Sequence, residues 1–187
     1  TRDHAALAEF ASSHSREIEK HKVRQFFFFT QWSDVKAYAK DKGIHIIGDI
    51  PIFIAYDSAD AWSHPELFYL KKSGRPTVVA GVPPDYFSPT GQLWGNPLYR
   101  WSVHKAQGYS WWLDRIAAVL NMVDFVRLDH FRGFAAYWEI PARMPTAEIG
   151  RWVKAPGKSL LSAIQKRFPD LPIIAEDLGL ITPDVVD

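Results

Sequence analysis

The chain has 187 residues, 47% hydrophobic and 23% charged, and its 22 basic and 21 acidic residues leave a formal net charge of +1. This composition is typical of a globular domain with a sizeable core, and it gives no support to a nucleic-acid or membrane partner. The absence of cysteine excludes disulfides, thiolate metal sites and cysteine nucleophiles. It is compatible with a reducing compartment, and we expect a cytoplasmic protein.

Targeting and cofactor signals are absent from the sequence. No apolar run approaches the ~18 residues that span a bilayer, and the first ten residues, TRDHAALAEF, do not form a signal peptide. Because the sequence does not start with Met, we expect a piece of a longer protein. The histidines lack metal-ligand spacing and there is no GxGxxG or Walker motif, so we expect no metal and no nucleotide cofactor.

The N-terminal 42 residues contain neither Gly nor Pro, which favours helix. Trp32, Val35 and Ala39 follow one another at helical spacing, and Gly43 is a plausible helix stop. The run QFFFF favours a strand by propensity alone. We predict helix there, because nothing on either side of the run breaks one.

Three apolar segments are typical of buried strands: GIHIIGDIPIFIA, DFVRLDH and LPIIAEDLG. Amphipathic helical segments, YSWWLDRIAAVLNM and KSLLSAIQKRF, precede the second and third strands. This alternation predicts an α/β fold with parallel strands paired in sequence order, in a sheet or barrel.

Each predicted strand carries a carboxylate near its C-terminal end: Asp49, Asp129 and Glu176. In a (β/α)₈ barrel, catalytic groups project from that end of the strands, and an open parallel sheet binds ligands at the same end. Three acids in equivalent positions therefore indicate a site. Two other carboxylates are set aside: Asp177 has the wrong strand parity to share a face with Glu176, and Glu139, about ten residues past the end of the second strand, is interpreted as structural.

The stretch FVRLDHFRGF places charges where a buried strand ends. Side chains alternate faces along a strand, so Arg127 and Asp129 share one face and His130 takes the other. The pair is either a buried ion pair or part of a site. In a site, the charge of Arg127 favours the ionised form of Asp129. His130 is interpreted as a hydrogen-bonded structural histidine.

Residues 74–97 include nine Gly or Pro among 24 residues, which predicts a loop. Long loops in compact domains are usually functional or disordered. Its aromatic side chains, including Tyr86, Phe87 and Trp94, are too apolar for a solvated linker. An ordered aromatic lid near the strand ends is the favoured interpretation, and a loop packed on the core is the alternative.

Two carboxylates on neighbouring strands beneath an aromatic lid suggest glycosidic bond chemistry. One carboxylate stays ionised as the nucleophile and the other donates a proton to the leaving oxygen. Glu176 follows the apolar sequence PIIA, and apolar surroundings suit a general acid. Adjacent strands lie ~4.8 Å apart, which can satisfy the ~5–5.5 Å that a retaining mechanism requires between its carboxyl groups.

Long motifs give the sequence a family resemblance. They are RQFFFFTQW, GDIPIFIAYDSADAW, AGVPPDYFSPTGQLWGNPLYRW, VRLDHFRGFAAYWEIPA and LPIIAEDLGLITPDV, which together cover nearly all of the chain beyond residue 24. In these motifs the chain resembles the 4-α-glucanotransferases, or amylomaltases, a TIM-barrel family related to the α-amylases. The family transfers segments of α-1,4-glucans such as maltodextrins through a glucosyl-enzyme intermediate and needs no cofactor.

The resemblance implies roles for individual residues. Asp129 resembles the nucleophile and Glu176 the acid/base, while Asp49 and Arg127 resemble groups that line the subsite of the sugar being cleaved. Four further residues resemble parts of the family's substrate-covering loop: Asp85, Tyr86, Phe87 and Trp94.

The sequence departs from the family in one respect, because the family's third catalytic carboxylate, in a His-Asp pair on a later strand, is absent. Eight βα units need ~250 residues. We therefore expect a single partial barrel resembling strands 3 to 5 of the family, inactive alone, whose open edges are covered by the rest of the parent chain or by self-association. An α-glucan hydrolase and a non-catalytic glucan-binding half-barrel are the alternative functions.

Overall fold

The computed structural model describes residues 2–178 and 182–186 of the chain. Its helices are α1 (His4–Ser13), α2 (Ser15–Asp41), α3 (Ala59–Ser63), α4 (Trp101–Ala106), α5 (Ser110–Leu120), α6 (Gly157–Arg167) and α7 (Pro183–Val186), with 3₁₀ turns at Pro65–Leu67 and Phe131–Phe134. The prediction of helix before Gly43 is confirmed, including the phenylalanine run in α2. Gly43 follows with φ +68°, the left-handed conformation of a helix C-terminus. Across the described residues, 2–178 and 182–186, no helix is long and apolar enough to cross a membrane.

The strands form two separate sheets. They are β1 (Ile47–Pro51), β2 (Val78–Val82), β3 (Gln92–Pro97), β4 (Phe125–Asp129), β5 (Ala136–Pro141), β6 (Arg151–Lys154) and β7 (Ile173–Ala175). The first sheet has the order β1-β4-β7 and is parallel throughout, which confirms the predicted pairing in sequence order. The second is antiparallel with the order β3-β2-β5-β6. Gly179, at the end of the third predicted strand, lies outside the described residues.

The prediction of a loop over residues 74–97 is wrong in its secondary structure. Strands β2 and β3 both fall within this range and pair antiparallel, so residues 78–97 form a hairpin. Its turn closes at Gly91, where φ is +68° and an added Cβ would collide with the backbone oxygen of Val82. Most of the Gly and Pro residues of this range therefore lie within the two strands or in the turn that joins them, and they do not prevent strand formation.

The parallel sheet packs one face against helices. Val126 and Leu128 of β4 are fully buried and belong to one core with Trp112 of α5 and with Leu160 and Ile164 of α6. Burial alternates along β4, as the two-residue period of a strand requires. The opposite face carries Arg127 and Asp129, which remain partly exposed.

Much of the aromatic content lies in the core, within helices α4 and α5 and in the residues that pack against them. Tyr99, Phe68, Trp112 and His104 are almost completely buried, and their rings contact one another at centroid distances of 5.2 to 5.5 Å where they pair with Tyr99. Burial lowers the pKa of His104 to about 4, so this histidine is neutral near pH 7. The Tyr99 hydroxyl donates to the carbonyl of Ile52, just beyond β1, at 2.6 Å.

The outer surfaces of the parallel sheet and of α2 expose apolar groups. Ile47 on β1 is 60% exposed and Ile174 on β7 is 39% exposed, and these are the two edge strands. No residue described in α1 or α2 is buried, and Phe26–Phe29 are 45% to 66% exposed. Trp32 and Lys36 join α2 to the rest of the fold through hydrogen bonds to carbonyls in residues 120–123.

Candidate active site

Arg127 lies at the centre of a cluster of acids at the C-terminal ends of the parallel strands. Its Nη1 donates to Oδ1 of Asp49 at 2.7 Å and to Oδ1 of Asp129 at 3.3 Å. Its Nη2 lies 3.9 Å from Oε1 of Glu176. The hydrogen bond to Asp49, helped by the charges of the three acids and opposed by desolvation, raises the pKa of Arg127. The guanidinium is therefore a fixed positive charge shared by three carboxylates.

The register of the sheet explains this convergence. Asp49 of β1 pairs with Arg127 of β4, and Pro51 pairs with Asp129, so β1 and β4 end together. Leu128 pairs with Ala175, and the backbone N–H of Glu176 donates to the carbonyl of Leu128 at 3.1 Å. Glu176, the residue directly after the neighbouring strand β7, therefore lies beside Asp129.

The surroundings of Glu176 are polar, contrary to the expectation drawn from its apolar sequence neighbours. Its Oε2 accepts a hydrogen bond of 2.7 Å from the backbone N–H of His130, and Oε1 faces Arg127. The side chain is only 13% exposed, against 41% for Asp129 and 54% for Asp49. Glu176 is the most enclosed of the three acids.

His130 touches two parts of the site, which sequence reasoning missed. Its backbone N–H, not its ring, supplies the hydrogen bond to Glu176. Its ring packs edge-on against Trp94 of the hairpin, with 4.9 Å between ring centroids and an interplanar angle of 86°. A histidine immediately after the strand-end Asp129 was the available signal, because histidine is enriched at left-handed positions that end strands sharply.

Among the four predicted lid residues, Trp94 is the one that reaches the cluster, through His130. Asp85 accepts hydrogen bonds from the backbone N–H groups of Phe87 and Ser88 at 2.9 and 2.8 Å, so its carboxylate stabilises the hairpin turn. Tyr86 is 88% exposed and Phe87 is 77% exposed, and their ring centroids lie 3.9 Å apart. In the described part of the chain, no ring contact joins these two side chains to the acids.

Of the two other acids considered from the sequence, Glu139 lies in the second sheet and Asp177 directly follows Glu176. Glu139 of β5 is buried and pairs with Arg151 on the neighbouring strand β6 at 2.6 Å. Asp177 is exposed beside Glu176. Within residues 2–178 and 182–186, no group of three His, Cys, Asp or Glu side chains is arranged to hold a metal ion.

The fold of the chain is similar to that of solved amylomaltases. It superposes on "Amylomaltase from Streptococcus agalactiae in complex with acarbose" with a TM-score of 0.94 and 48% identity, covering 97% of this chain and 37% of that one. It shares its fold with the amylomaltase of Corynebacterium glutamicum at a TM-score of 0.73 and 24% identity, covering 84% of this chain and 22% of that one.

The family profile described as 4-alpha-glucanotransferase, glycoside hydrolase family 77, matches residues 1–187, and the chain belongs to this family. It is 58% identical over 184 residues to the 4-alpha-glucanotransferase of Thermus thermophilus, covering 98% of this chain and 37% of that protein. It is 48% identical over 183 residues to the chloroplastic/amyloplastic enzyme of Arabidopsis thaliana, covering 98% and 32%. The chain thus spans about a third of the length of the curated relatives it matches.

Proposed function

We propose that the full-length protein containing this chain transfers α-1,4-glucan segments between maltodextrins by a retaining double displacement. One observation carries the proposal: the Arg127 guanidinium contacts both Asp129 and Glu176 at the ends of adjacent parallel strands. A nucleophile and an acid/base that face the two terminal nitrogens of one guanidinium fit the two-carboxylate arrangement of glycoside hydrolases. Membership of the 4-alpha-glucanotransferase family supports transfer over hydrolysis.

In the first step of the proposed mechanism, an Asp129 carboxylate oxygen attacks C1 of the sugar. The bond from C1 to the glycosidic oxygen breaks, and Glu176 gives its proton to that oxygen as the shortened glucan leaves. Arg127 donates a hydrogen bond to Asp129, which holds the attacking carboxylate in place. Glu176 is the least exposed of the three acids and lies farthest from the guanidinium.

In the second step, the Glu176 carboxylate takes the proton from the 4-hydroxyl of an acceptor glucan. The acceptor oxygen bonds to C1 and the bond to Asp129 breaks, which restores the α-configuration and both starting carboxyl states. Asp49 and Arg127 would contact the sugar being cleaved. Their mutual hydrogen bond of 2.7 Å holds both polar groups in place before substrate arrives.

The hairpin would supply the acceptor side of this site. Trp94 is 37% exposed and its ring lies against His130, next to the nucleophile. Tyr86 and Phe87 form an exposed aromatic pair on a turn that Asp85 stabilises. Aromatic faces suit the C–H faces of sugar rings, so we propose that a glucan chain covers these side chains.

Trp94→Ala in the full-length protein is expected to raise the ratio of hydrolysis to transfer. Removing the ring exposes the glucosyl intermediate to water and weakens the docking of an acceptor sugar. The ratio of glucose released to maltodextrin elongated measures the effect. Trp62→Ala is the matched control, because Trp62 is a similarly exposed tryptophan (48%) on α3. Lower activity with an unchanged ratio would assign Trp94 to packing alone.

We further propose that β1, β4 and β7 correspond to strands 3 to 5 of a TIM barrel that the remainder of the parent chain completes. The exposed isoleucines on β1 and β7 and the exposed phenylalanines of α2 support this, since such groups are normally buried. Self-association would cover them in the isolated chain. The cytoplasmic location remains a prediction. Relatives differ in this respect, since the name of the Arabidopsis protein describes it as chloroplastic/amyloplastic.

Incubation with maltotriose tests the proposed function. The full-length protein should yield both glucose and maltodextrins longer than maltotriose. The 187-residue chain alone should yield neither at a comparable rate, because loss of one transition-state electrostatic group costs about 10²–10³-fold or more. Glucose without longer products would indicate a hydrolase, and glucan binding without any turnover would indicate a binding protein. Turnover by the isolated chain at the full-length rate would contradict the need for further strands.

A further inference from the structure

His130 follows β4 directly, one residue after Asp129, with φ 52° and ψ 51°. This left-handed backbone conformation is uncommon outside glycine, although Asn, Asp and His are enriched among the residues that adopt it. It ends the strand and begins the 3₁₀ turn Phe131–Phe134. With the path of the chain fixed by β4 before it and by the 3₁₀ turn after it, a positive φ at residue 130 goes with one of the two orientations of the peptide that joins Asp129 to His130.

That N–H points at the Glu176 carboxyl group. It donates to Oε2 at 2.7 Å. The other oxygen, Oε1, lies 3.9 Å from Arg127 Nη2 and is not used by this donor. Because Oε2 accepts from His130, Oε1 is the oxygen left to carry a transferable proton. The peptide that joins Asp129 to His130 thus places the second carboxyl group relative to the first.

The imidazole ring makes a separate set of contacts, on the hairpin side. It lies edge-on to Trp94, with 4.9 Å between ring centroids. It also lies close to Gly133, where an added Cβ would come within 3.0 Å of Cδ2 of His130. Burial lowers the pKa of His130, and the positive charge of Arg132 lowers it further. The negative charge of Asp129 acts in the opposite direction but has a smaller effect on the pKa than burial, so the ring is neutral near pH 7. The ring acts here as a packing surface.

We propose that His130 is a positioning residue whose backbone N–H aims the proton-donating carboxyl group of Glu176 and whose ring holds Trp94 beside the nucleophile. The inference rests on the proposed function, in which Glu176 protonates the glycosidic oxygen while the C1–O bond breaks and Asp129 bonds to C1. The backbone part depends on left-handed geometry at residue 130. The ring part depends on the side chain.

Four substitutions in the full-length protein separate the two parts. His130→Gly and His130→Asn keep a residue that tolerates the left-handed conformation, whereas His130→Ala and His130→Val disfavour it, Val most strongly. All four remove the imidazole ring. The measurement is kcat/KM for maltotriose divided by kcat/KM for α-maltosyl fluoride, whose fluoride leaves without needing a proton from Glu176. The thermal unfolding midpoint of each variant is recorded in parallel.

The Ala variant should lower this quotient about tenfold and the Val variant more, within the ~10²–10⁴-fold that general acid catalysis contributes. In the Gly and Asn variants, both rate constants should fall by similar factors, so the quotient stays within about threefold of the parent value. All four should raise the ratio of hydrolysis to transfer, because Trp94 loses its neighbour. If Val does not fold, the comparison of Asn with the smaller Ala still decides the backbone part.

Two results would overturn the inference. A quotient that falls as far in Gly and Asn as in Ala would show that left-handed geometry is not what aims Glu176. Quotients that stay constant, with rates that follow unfolding midpoints, would assign His130 to fold stability alone. A full-length parent protein that transfers no glucan at all would refute the proposed function instead, so the two failures are distinguishable.

Discussion

Asp129→Asn in the full-length protein is expected to abolish glucan transfer and to prevent any covalent glucosyl-enzyme from forming. An amide is a far weaker nucleophile than a carboxylate, so the loss should be on the order of 10⁴-fold or more. The substitution is nearly isosteric, and the amide oxygen can still accept the hydrogen bond that Asp129 receives from Arg127. The effect should therefore reflect chemistry and leave the thermal unfolding midpoint almost unchanged.

Mass spectrometry after incubation with α-maltosyl fluoride measures the intermediate directly. The matched control is Asp124→Asn, the same chemical change at the residue that directly precedes the same strand. Asp124 accepts from the backbone N–H of Ile46 and pairs with Lys36, so that variant should be less stable but still form the intermediate. A labelled Asp129→Asn protein would mean that another residue is the nucleophile.

The parallel sheet and its acids could be predicted from the sequence because the signals are local. Short apolar segments after amphipathic helices predicted β1, β4 and β7 and their parallel order. The two-residue period placed Arg127 and Asp129 on one face, where the structure joins them by a hydrogen bond. A polar residue at the end of a buried strand is conspicuous in any sequence, so the position of the cluster could be predicted as well.

The second sheet could not be predicted as a whole, because the pairing that joins its two halves, β2 with β5, is non-local. Strand β3, helices α4 and α5 and strand β4 all separate β2 from β5 along the chain. Gly and Pro dominate the local signal in residues 74–97 and favour a loop. Pro97 is compatible with a strand because β3 is the edge of its sheet, where a missing N–H is tolerated.

The polar environment of Glu176 could not be predicted either, because it too depends on residues that are distant in sequence. Its sequence neighbours Ile173, Ile174 and Ala175 are apolar, which suggested an apolar site. Its neighbours in space come from β4 and the turn after it: the guanidinium of Arg127 and the peptide N–H of His130. Adjacent strands, rather than adjacent residues, determine what a strand-end side chain contacts.

Glu176→Gln is expected to lower transfer between natural maltodextrins by about 10²–10⁴-fold, the usual contribution of general acid catalysis. The same variant should still react with α-maltosyl fluoride, because fluoride leaves without a proton. Since the new amide cannot take the proton from an acceptor hydroxyl, the glucosyl group should then accumulate on Asp129. The amide oxygen can still accept the hydrogen bond from the His130 N–H, which preserves the geometry of the site.

Labelling kinetics and the site of attachment test this asymmetry between the two acids. Asp177→Asn is the matched control, because it neutralises the exposed neighbouring carboxylate and should leave both reactions near parental rates. Peptide mapping should find the glucosyl group on Asp129 in the Glu176→Gln protein, and a small external nucleophile such as azide should release it faster than water does. A Glu176→Gln protein as slow with the fluoride as with maltotriose would show that Glu176 does not act as the proton donor. A label found on a different carboxylate, with none on Asp129, would overturn the assignment of roles that Arg127 and the strand register support.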